Sequence, residues 1–256
     1  MNILVLKLIL APVIIGSASL VGRKWGSAVS GWLIGLPLTS GPVIFFLSLN
    51  HSVDFVMSSV LGTLSGGFSL VAFCLVYAWL AQRFQWIVAT VGSLSAFAAV
   101  TVVMQSIMVP LLPLYLLVVF SIFLGMGLMP KQTEVISAET KPGGWDIPVR
   151  ILIGTGFILL LTEIASIIGP RLTGLLATIP LYTIILTAFA HRLQGSTGAI
   201  NVLRGLLFGM LAFASFFLAL GIMLQRAGLG TAFFAAIVVA LLIQGLTLQI
   251  LPKKVI

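Results

Sequence analysis

The amino-acid sequence predicts an all-α integral membrane protein of about nine transmembrane helices, arranged as two inverted four-helix repeats joined by a central helix. Three observations carry this. The chain is 60% hydrophobic and only 7% charged over 256 residues, with a mean hydropathy of +1.26, more apolar surface than a soluble domain of this size can hide. Its first part recurs without gaps 143 residues later, as from Gly31 to Gly174. Its basic residues fall in short segments between apolar runs, where they set topology rather than bind nucleic acid, despite a net charge of +8.

Apolar runs bounded by charges or turn residues place the spans at 2–21, 27–49, 55–81, 85–107, 109–129, 149–168, 172–190, 199–224 and 229–251. The first run is not read as a signal peptide, because no basic segment precedes it and Lys7 already belongs to the repeat. Between Arg83 and Lys131 lie 47 uncharged residues, too many for one span of about 20, and Val109-Pro110-Leu111-Leu112-Pro113 supplies a break. The polar stretch Pro130–Pro148, with Pro142-Gly143-Gly144, reads as a cytoplasmic linker. The organisation is a first repeat over 1–107, a central helix and linker over 108–148, and a second repeat over 149–256.

The repeat matches Gly26, Gly31, Pro37, Leu38 and Phe46 to Gly169, Gly174, Pro180, Leu181 and Phe189. It matches Gly62, Gly66 and Phe73 to Gly205, Gly209 and Phe216, and Gln82-Arg83 to Gln225-Arg226. Lys7 answers Arg150, a charge kept although the residue changes. Nine spans divide the 13 basic residues ten to three between the two sides, and eight spans divide them eight to five. The positive-inside rule therefore selects nine, with the N-terminus outside and the C-terminus cytoplasmic. An unmatched fifth span then turns the second copy over. All five tryptophans fall nearer the cytoplasmic side, as interfacial anchors would.

Candidate site residues cluster at two prolines. Span two holds Gly35-Leu36-Pro37-Leu38-Thr39-Ser40-Gly41-Pro42 at mid-depth, and span seven holds Ala177-Thr178-Ile179-Pro180-Leu181-Tyr182-Thr183 at the matching place. A proline removes a helix hydrogen bond, and in lipid the freed groups need partners, which nearby hydroxyls can supply. Pro37, Thr39, Ser40, Pro42, Pro180, Tyr182 and Thr183 are the candidate substrate-binding residues of two broken helices meeting at the bilayer midplane. The alternative is a pair of static kinks. Gly62-xxx-Gly66 and Gly205-xxx-Gly209 are packing signals, since glycines four apart let backbones approach. Glu163 is the one acid within a span. It reads either as a coupling site for a proton or cation, or as a structural pair with Lys7, which enters from the same outer side. His51 and His191 read as solvated loop residues, and Asn201, Gln105 and Gln244 as polar contacts between helices.

No metal-spaced cluster, nucleotide loop or activated nucleophile is evident, so the expectation is a non-enzyme without a metal or other cofactor. The single cysteine, Cys74, lies inside an apolar span and excludes an intrachain disulfide. Expected partners are the lipid bilayer, a small substrate and, compatibly, a second copy of the chain as a homodimer, but no nucleic acid.

The stretch from Thr173 to Thr183, followed by Gly198 and Leu203-Arg204-Gly205-Leu206-Leu207-Phe208-Gly209, resembles the GlpM-like family of small bacterial membrane proteins, named for a link to alginate biosynthesis. The likeness covers mainly residues 150–226, and more weakly 7–83, where Leu61 stands in place of the arginine. Members are single four-span units, so the resemblance implies that this chain is two such units fused in opposite orientation. It implies no established activity. The expected function is an inner-membrane transporter or flippase for a small-molecule or lipid-linked substrate. The alternative is a non-transporting accessory protein of envelope or exopolysaccharide assembly.

Overall fold

The computed structural model describes residues 8–9, 12–13, 26–130 and 146–250. These are mostly helical, with no strand among the described residues. In chain order the helices are α1 Gly26–Ile34, α2 Ser40–Ser48, α3 Val53–Leu80, α4 Trp86–Ser106, α5 Leu111–Leu128, α6 Asp146–Ile168, α7 Pro170–Leu176, α8 Leu181–Leu224 and α9 Leu229–Ile250. α8 is two arms meeting at Gly195, whose φ of 71° only glycine adopts without strain. Among the described residues, six helical stretches are long and apolar enough to cross a membrane. The protein is compatible with a multi-pass membrane protein on that ground.

Helix boundaries repeat at the sequence offset. α3 begins at Val53 and the second arm of α8 at 196, while α4 begins at Trp86 and α9 at Leu229. Span two is the pair α1 and α2, and its equivalent is α7 with the first arm of α8. The 47 uncharged residues hold two helices, α4 and α5, separated at Ile107–Pro110. Proline sits where helices tolerate it, at the N-cap of α5 (Pro110) and within the first turns of α5 (Pro113) and α6 (Pro148), where no intrahelical N–H is required.

Two elements form the centre. The most apolar windows of α3 and of 170–224 are 72% and 67% buried, against 22–28% for α4, α5, α6 and α9, which are therefore peripheral. The peripheral helices turn large apolar side chains outward, among them Val102, Phe120, Leu152, Ile167 and Phe234. Such a surface suits hydrocarbon and would drive association in water.

The central packing is reciprocal. α1 lies on α8, and its equivalent α7 lies on α3. A Cβ on Gly31 would overlap the backbone carbonyl of Val202, and a Cβ on Gly174 would overlap that of Ser59. Val202 is the repeat equivalent of Ser59, so one contact is the other with the copies exchanged. Likewise Gly35 abuts Gly209, and its equivalent Thr178 abuts Gly66. Each proline-interrupted span thus packs on the G-x-x-x-G helix of the opposite copy. The unmatched α5 contacts both equivalent central helices. Its Val118 lies against Gly67 of α3, and its Gly125 against Val71 and Leu207.

Some sequence expectations are corrected here. Trp32 is 7% exposed rather than interfacial, and its indole donates to Thr247 Oγ1 of α9 at 2.9 Å. Gln244 Nε2 donates to the Trp32 carbonyl at 2.8 Å, so Gln244 does join helices. His191 lies within α8, half-buried, its ring 5.9 Å from that of Tyr77, rather than in a solvated loop. His51 does lie in a turn, stacked on Phe55. Trp25, Trp145, Lys7 and the linker residues 131–145 lie outside the described residues.

Candidate functional site at the two proline breaks

Both breaks are built by the same backbone turn. The last turn of α1 tightens through Gly35 N–H to Trp32 O and Leu36 N–H to Leu33 O, at 3.2 and 3.1 Å. At the equivalent place Thr178 N–H reaches Leu175 O and Ile179 N–H reaches Leu176 O, at 3.2 and 2.9 Å. Leu38 N–H then bonds Leu36 O across Pro37 at 2.7 Å, and Leu181 N–H bonds Ile179 O across Pro180 at 2.8 Å. This two-residue span is an inverse γ-turn, and Pro180, at φ −82° and ψ 56°, has its dihedrals. Each downstream half-helix restarts from the proline carbonyl, which accepts from Gly41 N–H at 2.9 Å or from Ile184 N–H at 2.8 Å. Proline suits the centre of this turn because its ring fixes φ near the required value and the turn asks no N–H of it.

These bonds explain how the breaks are tolerated. The backbone satisfies most of its own freed groups by turning tightly. Of the nearby hydroxyls, Thr178 Oγ1 donates to Leu175 O at 2.6 Å. Thr39, the N-cap of α2, makes no capping bond with its side chain. Pro42 does not take part in the break; it is buried in the first turn of α2, where a missing N–H does no harm.

The two breaks line one narrow cavity. Thr39, Ser40, Pro180, Tyr182 and Thr183 line it, as the sequence suggested for a shared site, whereas Pro37 and Pro42 stand behind the wall. Most of the lining pairs up as repeat equivalents. Thr39 answers Tyr182, Ser40 answers Thr183, Gly35 answers Thr178, and Leu36 and Leu38 answer Ile179 and Leu181. Leu70 and Phe213, which the sequence reading missed, are also equivalents and complete the wall. A signal for them existed: each lies four residues beyond the second glycine of its G-x-x-x-G pair, Gly66 or Gly209, and so on the same helix face. The cavity therefore lies where the two copies meet. No formally charged side chain lines it.

The remaining candidates lie elsewhere. Glu163 is exposed on α6 and does not line the cavity; Lys7, its proposed partner, is outside the described residues. Arg171 donates to Met104 O at 2.9 Å and Arg204 to Pro130 O at 2.7 Å. Each guanidinium thus meets carbonyls at the C-terminal end of a peripheral helix, where a cation complements the helix dipole. Gly62 packs on the Arg171 backbone, Gly66 on Thr178 and Gly209 on Trp32, and Gly205 is buried in α8. Among the described residues no group of His, Cys, Asp and Glu is placed to hold a metal.

Searches of family models, curated proteins and solved structures found nothing that matches this chain.

Proposed function

We propose that the chain is a membrane transporter, or flippase, whose substrate site is the cavity between the two proline breaks. One observation carries this reading: the cavity is lined by equivalent residues of two copies that pack reciprocally. In this reading the chain crosses the bilayer nine times. α1 with α2 makes one span, α7 with the first arm of α8 makes its counterpart, and the segment before Gly26 supplies the first. α5, between the copies, turns the second over, so the copies are related by a two-fold axis in the membrane plane. Elements of equal depth near such an axis face each other, which puts the breaks at the midplane. Inverted repeats with discontinuous helices meeting at the midplane are a recurrent plan of secondary transporters. Irregular backbone is tolerated in the bilayer where it is buried in protein or lines water, and a site near the axis meets that condition.

Cysteine labelling tests the reading. Thr39→Cys and Thr183→Cys, each in a Cys74→Ala background because Cys74 is free and buried, should react with a membrane-impermeant maleimide added to either side of sealed vesicles. The double variant should crosslink with a short bifunctional reagent. Protection of both cysteines from both sides would mean a dry, permanently packed core. That result would reject transport and favour the accessory role in envelope assembly.

A further inference from the structure

Resting on the transporter reading, we propose that the cavity takes a small monovalent anion, of the size of formate, nitrate or acetate, held between Ser40 and Thr183. These two residues are repeat equivalents, each in the first turn of a downstream half-helix. They are 3% and 2% exposed and both line the cavity. Neither hydroxyl makes a hydrogen bond to the described residues, which leaves both free to meet a ligand in the cavity. Two unspent donors lining one narrow space fit a ligand that accepts hydrogen bonds from both.

The backbone adds the same preference. The first amides engaged in each half-helix are those of Gly41 and Ile184. The Ser40 and Thr183 amides just before them have no carbonyl within reach inside the helix, the general state of a helix N-terminus. Such an end behaves as roughly half a positive charge, so two of them facing one site offset about one negative charge. The upstream pieces end here as well, and several of their last carbonyls are used: Leu33 O and Leu176 O accept from Leu36 and Ile179 N–H, and Leu36 O and Ile179 O from Leu38 and Leu181 N–H. Trp32 O accepts from Gly35 N–H and Gln244 Nε2, and Leu175 O accepts from Thr178 N–H and Oγ1. With two hydroxyl donors beside two half-helix N-termini, and no formally charged side chain in the wall, the site favours an anion over a cation. It also lacks the charge to offset a dianion.

The experiment uses the full-length chain purified in detergent, with thermal unfolding as readout and ionic strength held with sodium gluconate, too bulky for the cavity. Sodium formate, nitrate and acetate should raise the unfolding temperature saturably. Sodium sulfate should act more weakly, and exchanging sodium for choline should change nothing. Ser40→Ala and Thr183→Val should each weaken the apparent affinity by about tenfold or more, as loss of a hydrogen bond to a charged group does. A shift that follows the cation, does not saturate, or survives intact in the double variant would overturn the proposal. If the double variant does not fold, the salt series on the unaltered chain decides by the same criteria. Anion binding without two-sided labelling of the cysteines would leave an anion site and remove transport. Two-sided labelling without anion binding would leave transport and remove this ligand class.

Discussion

Gly31→Ala and Gly174→Ala are each expected to destabilise the protein strongly, while Gly156→Ala and Gly245→Ala leave it unchanged or slightly more stable. At Gly31 and Gly174 the new methyl meets a backbone carbonyl of the opposite copy, which cannot move aside as a side chain would. Forcing atoms into a packed interior costs about 1–3 kcal/mol, and more where the neighbour is rigid. At Gly156 and Gly245 nothing lies within 4 Å of the added carbon. There the helix gains from alanine's propensity, worth up to about 1 kcal/mol. Monodispersity after a heating series in detergent separates the two groups. Equal heat resistance of Gly31→Ala and Gly156→Ala would show that the reciprocal contact does not exist.

An all-or-none outcome is expected from topology reporters at equivalent turns. Gln82-Arg83 and Gln225-Arg226 are the same dipeptide in the two copies, each in the turn that follows a central helix. If the copies are inverted, a reporter active only outside the cytoplasm should be silent when fused after Arg83 and active after Arg226. Fused to Ile256 it should again be silent. The charge split of ten to three that motivates this would become uninformative if Arg83 and Arg226 reported the same side. That result would also remove the in-plane axis on which the midplane site depends.

Much of the fold was legible because hydrophobic run length and turn residues are local signals. The offset from Gly31 to Gly174 predicted equivalent helix starts, and helices do begin at Val53 and at 196. The break at Val109-Pro110 was legible for the same reason. Which helix covers which was not, because a repeat in sequence is silent on whether each copy packs on itself or on the other. Trp32 shows the cost of reading residue type alone: an indole commonly anchors at an interface, yet here its N–H finds Thr247 inside the protein. The prolines marked the breaks, but Pro42 belongs to a half-helix and only Pro37 and Pro180 make the turn. The hydroxyls of Ser40 and Thr183 line the shared cavity as expected, but the backbone at each break turns on itself and does not call on them.

The exchange of partners between the copies also sets a timetable for biogenesis. Residues of the first copy leave the ribosome well before Gly174 and Val202 exist. Until then the carbonyl face of Ser59 and the bare backbone at Gly31 lack their partners in the second copy. In the nine-span reading, the interrupted span 26–48 would enter the membrane with its turn uncovered, a state that hydrocarbon penalises. Final consolidation therefore waits for the second arm of α8, and a nascent chain stopped after α5 would present an open seam to insertion factors and membrane proteases alike.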